Sequence, residues 1–294
     1  QDVQGVDVGG EAGKTGGLNI SIRGMPSDYT LVLIDGRRQN APGGVTPNGF
    51  GETSTSFLPP FSAIDRIEVV RGPMSTLYGS DAMGGVVNII TRRISDHWRG
   101  SARVNGTMQL ADNFGNYTDG NFYLSGPVTN GIGLQLQGSM NRREGDTEIG
   151  GTPERHDDSL AGKLGFNLSA NHQILLEGGY YRQKVIEVAG ETTETSATAP
   201  LGTETTQTQK RKVASISHSG QWGFASSESY LQYEDAEHVE AQKRIKNTVG
   251  QSLWVIPLPS NTLTVGGFYR YEDLSDLTGN LLSGSTTTGT TRTS

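Results

Sequence analysis

The chain has 294 residues, of which 33% are hydrophobic and 41 are glycine, and its mean hydropathy is -0.45. With 31 acidic against 24 basic residues the net charge is -7, which argues against a nucleic-acid partner, because phosphate binding rests on a basic surface. The absence of cysteine excludes disulfides, thiolate metal sites and thiol catalysis, and no run approaches the roughly 18 consecutive apolar residues of a membrane-spanning helix.

Two regions differ in pattern, and the expected boundary gives domains 1–95 and 96–294. The first reads as a compact mixed α/β unit. From Leu18 to Arg23, Leu18, Ile20 and Ile22 alternate with Asn19, Ser21 and Arg23. Leu31 to Ile34 and Val86 to Ile90 are short apolar runs, the second interrupted only by Asn88, the pattern of strands covered on both faces. Asp35-Gly36 is a turn signal. Pro73 is suited to the first position of a short helix through Tyr78, with Gly79 as its stop.

From about His97 the pattern becomes long alternation. Gly100, Ala102, Val104, Gly106, Met108 and Leu110 share one face; Ser101, Arg103, Asn105, Thr107 and Gln109 share the other. The pattern recurs with Ile132, Leu134, Leu136, Gly138 and Met140, and again with Leu160, Leu164, Phe166 and Leu168. Runs of about ten residues with one apolar face suit strands that cross a bilayer at a tilt. Tight breaks are expected at 126–130, 169–172, 219–221 and 257–261. Longer polar connections are expected at about 112–118, 142–157, 184–210 and 234–244. Alternation of short and long connections is the arrangement of an outer-membrane barrel, with short periplasmic turns and longer external loops. Nine strands can be counted. A globular unit of some 90 residues needs the lumen of about 22 strands, so the wall is expected to be incomplete in this chain.

No enzyme site emerges. Val8 stands where a phosphate-binding loop needs its first glycine before Gly13-Lys14-Thr15, and an alternating strand follows instead of a helix. His97, His156, His172, His218 and His238 are scattered without metal-ligand spacing. There is no G-x-S-x-G and no nucleophile–base arrangement. Asp112 to Asn121 is rich in oxygen ligands but lacks calcium-loop spacing. The chain opens without Met or an apolar leader, so any secretion signal is expected to lie outside it.

The first region carries an ordered series of phrases: Ile20 to Met25, Thr30 to Gly36, Ile64 to Pro73, and Leu77 to Thr91. This series resembles the plug of TonB-dependent outer-membrane receptors, most closely the catecholate-siderophore group of the ferric enterobactin and colicin I receptors. The resemblance is dense over residues 5–93 and holds only in style thereafter.

The resemblance implies a mixed plug domain, an antiparallel transmembrane β-barrel, an outer-membrane location and import of a ferric siderophore powered by TonB. It implies no resident cofactor, since the iron travels within the siderophore. Arg23 and Arg71, each just before a glycine, match arginines that latch the plug to carboxylates of the barrel wall. On residue chemistry alone they could instead satisfy carbonyls or acids within the plug. The loop 37–56 matches an apical plug loop. There Arg37, Arg38, Gln39, Asn40 and Phe50 are candidate ligand-binding residues, because an iron–tricatecholate complex is anionic with aromatic faces. A solvated loop with arginines facing water is the plainer alternative. The family's TonB-binding segment and the start of the plug are expected to lie before Gln1. Other cargoes in the same machine, such as haem, cobalamin, a hydroxamate chelate or an oligosaccharide, remain open. So does a surface receptor for colicin or phage without transport.

Overall fold

The computed structural model describes residues 6–9, 19–25, 29–38, 58–72, 82–276 and 289–293. The chain divides into two compact units, Gln1–Arg93 and Ile94–Ser294.

In the first unit, strands β1 (Val6–Gly9) and β2 (Asn19–Ile22) form an antiparallel pair. A four-stranded sheet holds β3 (Thr30–Ile34), β4 (Arg37–Arg38), β5 (Ile64–Arg71) and β6 (Gly85–Thr91), in the order β4-β3-β6-β5. Strands β3 and β6, which hold the two apolar runs, lie side by side and parallel. Alternate residues along them enter different clusters: Val32 and Val87 with Ile20 and Ile22, but Leu31, Leu33 and Val86 with Ala82. Both faces are covered, so the alternation expected of a one-sided strand is missing.

Asp35 and Gly36 have φ of 51° and 74°. Positive φ at both central residues matches the twist of the flanking strands in a two-residue hairpin, here closed by Ile34 opposite Arg37. The carboxylate of Asp35 accepts the backbone N–H of Thr91 at 2.8 Å and its hydroxyl at 2.6 Å. Asn88 Oδ1 accepts the Gly36 N–H at 3.0 Å. The hairpin is thereby tied to the end of β6. The expected helix from Pro73 to Tyr78 lies outside the described residues.

The second unit is one antiparallel sheet of ten strands, each paired with its neighbours in sequence. These are β7 (Arg99–Thr107), β8 (Tyr117–Thr129), β9 (Ile132–Arg143), β10 (Glu154–Ser169), β11 (His172–Val188), β12 (Glu204–Gln221), β13 (Ser226–His238), β14 (Lys243–Pro257), β15 (Thr262–Asp276) and β16 (Gly289–Thr293). The tenth falls in a Thr- and Gly-rich stretch with no apolar alternation, which is why nine were counted from sequence.

Other boundaries also move. Strand β7 stops at Thr107, so Met108 and Leu110 leave the sheet; the backbone turns where Asn116 Oδ1 accepts the Gln109 N–H. Pro127 sits inside β8, at a register shift between Pro127 and Thr129; a bulge accommodates a residue with no donor. Strands β11 and β12 run on to Val188 and back from Glu204. The expected polar connections 184–210 and 234–244 therefore shrink to 189–203 and 239–242, as backbone pairing continues through polar side chains. The connection 239–242 is as short as the turns at the opposite end, so length alone does not sort the ends at that point.

The register makes one face apolar. Phe122, Leu136, Leu164, Leu176, Ile216 and Leu231 fall on one face of the sheet across β8 to β13. Leu176, Ile216 and Leu231 stay exposed, and Val104 is 79% exposed, the disposition of side chains that meet lipid. Aromatic residues flank this band. Trp222 and Trp254, stacked with centroids 5.7 Å apart, lie at the short-turn end; Tyr180 and Tyr233 lie on the same face toward the long connections. The opposite face is polar, with Ser125, Gln135, Gln183, Arg211 and Glu234 buried.

Candidate functional site

Two groups of residues are candidates for a functional site, one in each unit. In the first, Arg37 opens β4 and is partly buried. Arg38 follows in the same strand, opposite Leu33. These two belong to a hairpin strand and not to the loop expected from sequence. Gln39, Asn40 and Phe50 lie outside the described residues, so the structure brings together only Arg37 and Arg38 of the five.

Arg23, with φ of 55°, forms a turn with Gly24 at the end of β2. Arg71 ends β5, opposite Gly85. Both side chains are exposed, and neither pairs with an acid among the described residues. Gly85 has φ of 149°, and a Cβ there would stand 2.5 Å from the Val70 carbonyl oxygen and 2.8 Å from Ile22 Cδ1. The backbone carrying Arg71 and the strand leading to Arg23 converge on this glycine.

In the second unit the long connections are built into one another. Glu144 and Asn116 exchange bonds: the Glu144 N–H donates to the Asn116 carbonyl at 2.9 Å, and Asn116 Nδ2 donates to the Glu144 carboxylate at 2.8 Å. Asp146 is the hub. Its carboxylate accepts the Gly115 N–H at 2.8 Å, the Thr152 N–H at 2.7 Å and Arg143 Nη2 at 2.7 Å. Burial pushes this carboxyl up, but these three donors outweigh burial and hold it at about 2. The Gly150 N–H reaches the Thr192 carbonyl at 3.2 Å, joining the connection 189–203 to the same assembly. Three loops separated in sequence thus form one platform.

Below the platform, the polar face carries paired charges. Lys163 and Glu177, directly opposite across β10 and β11, lie 3.0 Å apart. Ser215 donates to the same carboxylate at 3.1 Å. Arg211 is bound to Glu234, and its guanidinium stands 5.6 Å from the centroid of the Tyr181 ring. Charge-assisted bonding of this kind is what buried ions require. Sequence reading missed Arg211, Tyr181, Glu234 and Asp146. The only signal available was parity, and parity does not say which strand positions face each other. Among the described residues, no group of three or more His, Asp or Glu side chains forms a metal site.

Comparison with known proteins agrees with this geometry. Residues 1–86 match the TonB-dependent Receptor Plug Domain. The chain is 38% identical over 288 residues to the iron-regulated outer membrane virulence protein of Vibrio cholerae, covering 97% of this chain and 44% of that protein. It is 33% identical over 253 residues to a ferric enterobactin receptor of Pseudomonas aeruginosa, covering 78% of this chain and 34% of that protein. A crystal structure of a Pseudomonas aeruginosa ferric enterobactin receptor mutant superposes with a TM-score of 0.77 at 26% identity, covering 94% of this chain and 46% of that one. The chain therefore spans less than half the length of the relatives it matches.

A plug unit followed by an antiparallel wall with one apolar face is the combination of a TonB-dependent outer-membrane receptor. The chain belongs to the TonB-dependent receptors of the bacterial outer membrane, a family of transporters and receptors.

Proposed function

We propose that the whole receptor imports a ferric siderophore of the catecholate type across the outer membrane, with TonB supplying the energy. The observation that carries this reading is the conjunction, in one chain, of the plug phrases with a wall whose relatives are named ferric enterobactin receptors. The platform of interlocked loops and the arginines of β4 supply the residue chemistry. An iron–tricatecholate complex is anionic and aromatic, and guanidinium groups satisfy both properties. Arg37, Arg38, Gln39, Asn40 and Phe50 are assigned to the first contact with the chelate. Arg23 and Arg71 are assigned to latching the plug against wall carboxylates. Their exposure, without acid partners among the described residues, favours partners outside the plug over partners within it.

In this reading iron is cargo, the protein holds no cofactor of its own, and no bond in the cargo is made or broken. Colicin or phage attachment would be a secondary use of the same external loops.

The test is uptake of radiolabelled iron by a strain lacking its own catecholate receptors and expressing the full-length protein. Ferric enterobactin should be taken up in a TonB-dependent manner, and a ferric hydroxamate should not. Uptake of the hydroxamate, haem or cobalamin in place of ferric enterobactin would overturn the cargo assignment. Cargo binding with no TonB-dependent uptake would overturn transport.

A further inference from the structure

Two histidines that lie 46 residues apart in the chain meet at the short-turn end of the wall. His172 opens β11, and His218 stands near the end of β12. The register sets His172 opposite Gly220 and Ile174 opposite His218, so the two histidines are diagonal neighbours across the ladder. They share the apolar face with Leu176 and Ile216, which lie opposite one another further along the same strands. Nδ1 of His172 is 3.3 Å from Nε2 of His218, while the ring centroids are 5.4 Å apart. The rings therefore meet nitrogen to nitrogen.

Room for the pair is made by glycine. A Cβ on Gly220 would stand 3.0 Å from His172 Nδ1 and 2.8 Å from His218 Cε1, so a side chain there would enter the space between the rings. Trp222 closes one side. It lies edge-on to His172 with centroids 4.4 Å apart, and its Nε1–H donates to Ser227 Oγ at 2.7 Å. No other hydrogen bond holds either imidazole among the described residues. The remaining histidines differ. His97 faces the Asp96 carboxylate at 2.5 Å, His156 faces Glu154 at 3.0 Å, and His238 is buried.

This arrangement suits a transition metal. At 3.3 Å the contact is longer than an ordinary hydrogen bond. Two nitrogens bound at roughly 2.0–2.1 Å to one tetrahedral ion stand about 3.3 Å apart. Imidazole selects zinc, copper and nickel, whereas calcium and magnesium take oxygen ligands. We propose that His172 and His218 form a two-histidine site for a divalent transition-metal ion of the zinc and copper class, on the outer side of the wall at its periplasmic, short-turn end. Rotation of each ring about its Cβ–Cγ bond, a soft torsion, brings both lone pairs onto the ion, and water completes the coordination. The bound ion joins β11 to β12 beside the turns 170–171 and 222–225. The proposal concerns the wall and is independent of the cargo.

The full-length receptor, purified in detergent without a histidine tag, is titrated with Cu2+ and, separately, with Zn2+. Cu2+ should bind saturably and quench tryptophan emission, because Trp222 lies against His172. Pulsed EPR should show two imidazole nitrogens on the copper, and calorimetry should show Zn2+ binding that depends on the same two histidines. Loss of even an outer-shell partner costs a metal site roughly tenfold in affinity, so H172Q and H218Q should each cost that or more. G220V should do the same with both ligands present, while H97Q/H156Q should match the wild type. Barrel assembly is checked by heat-modifiable electrophoretic mobility, and where a variant does not assemble, H172N, H218N or G220A is read in its place. No saturable binding by the wild type, a single-nitrogen signal, or unchanged affinity in G220V or in the double variant H172Q/H218Q would overturn the proposal.

Discussion

Gly115 lies against the backbone of Glu144 so closely that a Cβ built on it would stand 1.9 Å from the Glu144 carbonyl oxygen. The partner atom is backbone, held in turn by the Asn116–Glu144 bonds, and cannot swing aside. Gly115→Ala is expected to separate the connection 108–116 from 144–153. Hydrogen exchange on the full-length receptor should show the Glu144 and Thr147 amides, which donate to Asn116 and Asn113, losing protection. Unchanged protection would show that the platform tolerates the clash.

The Asp146 hub predicts a pH response with a defined sign. Its carboxyl is held below the ordinary carboxylate value, at about 2. The stabilisation it gives is complete above the unfolded value, near 4, and is lost as pH falls through about 2. The difference corresponds to about 2 kcal/mol. Amide exchange at Gly115 and Thr152 should accelerate between pH 4 and 2 relative to strand amides, within roughly the range set by those values. Asp146→Asn should remove that dependence, and a variant that keeps it would disprove the hub.

The plug has its own tight point at Gly85. Gly85→Ala would force a methyl group into the Val70 carbonyl and Ile22 at a φ that side chains rarely adopt. A cost of about 2 kcal/mol or more is expected, read as a lower denaturant midpoint for the plug signal in the full-length receptor. The nearby Gly72, with open space around its Cβ position, has φ of 110° and should suffer only the backbone part of this penalty.

Arg211 and Glu234 are each 2% exposed. Truncating one leaves the other as an uncompensated buried charge, a loss of about 3–5 kcal/mol. Arg211→Met alone should therefore lower the urea midpoint of barrel unfolding, and Arg211→Met combined with Glu234→Leu should recover most of it. Equal destabilisation by the single and double variants would mean that the pair is not coupled.

Leu231 faces lipid in this register. Leu231→Arg should cost about 2–4 kcal/mol in a phospholipid bilayer, measured as the free energy of barrel unfolding. Leu201→Arg, in the connection 189–203, should cost little. A cheap arginine at Leu231 would contradict the assignment of the apolar face.

Much of this architecture could be read without coordinates, and the reasons are local. Asp35-Gly36 announces its hairpin because only certain residues accept two successive positive φ values. Leu31 to Ile34 and Val86 to Ile90 announce covered strands because no polar residue interrupts the first run and only Asn88 the second. Strand ends were less legible. Pairing of β11 and β12 continues past Lys184 and Lys210 because the ladder is made by backbone groups, which are the same beneath lysine as beneath leucine. Pro127 misled for a related reason: a bulge, visible only in the register, lets it remain inside β8.

By itself the sequence determined the change of pattern near residue 97, the plug phrases and the apolar side of three wall strands, all of which follow from composition, turn chemistry and a period of two. Only the tertiary structure decided which charges meet: Asp146 with Arg143, Lys163 with Glu177, and Arg211 with Glu234. The physical reason is register. Alternation tells a side chain which way to face, but its neighbour across the sheet is set by where every strand begins, and that is a property of the whole sheet.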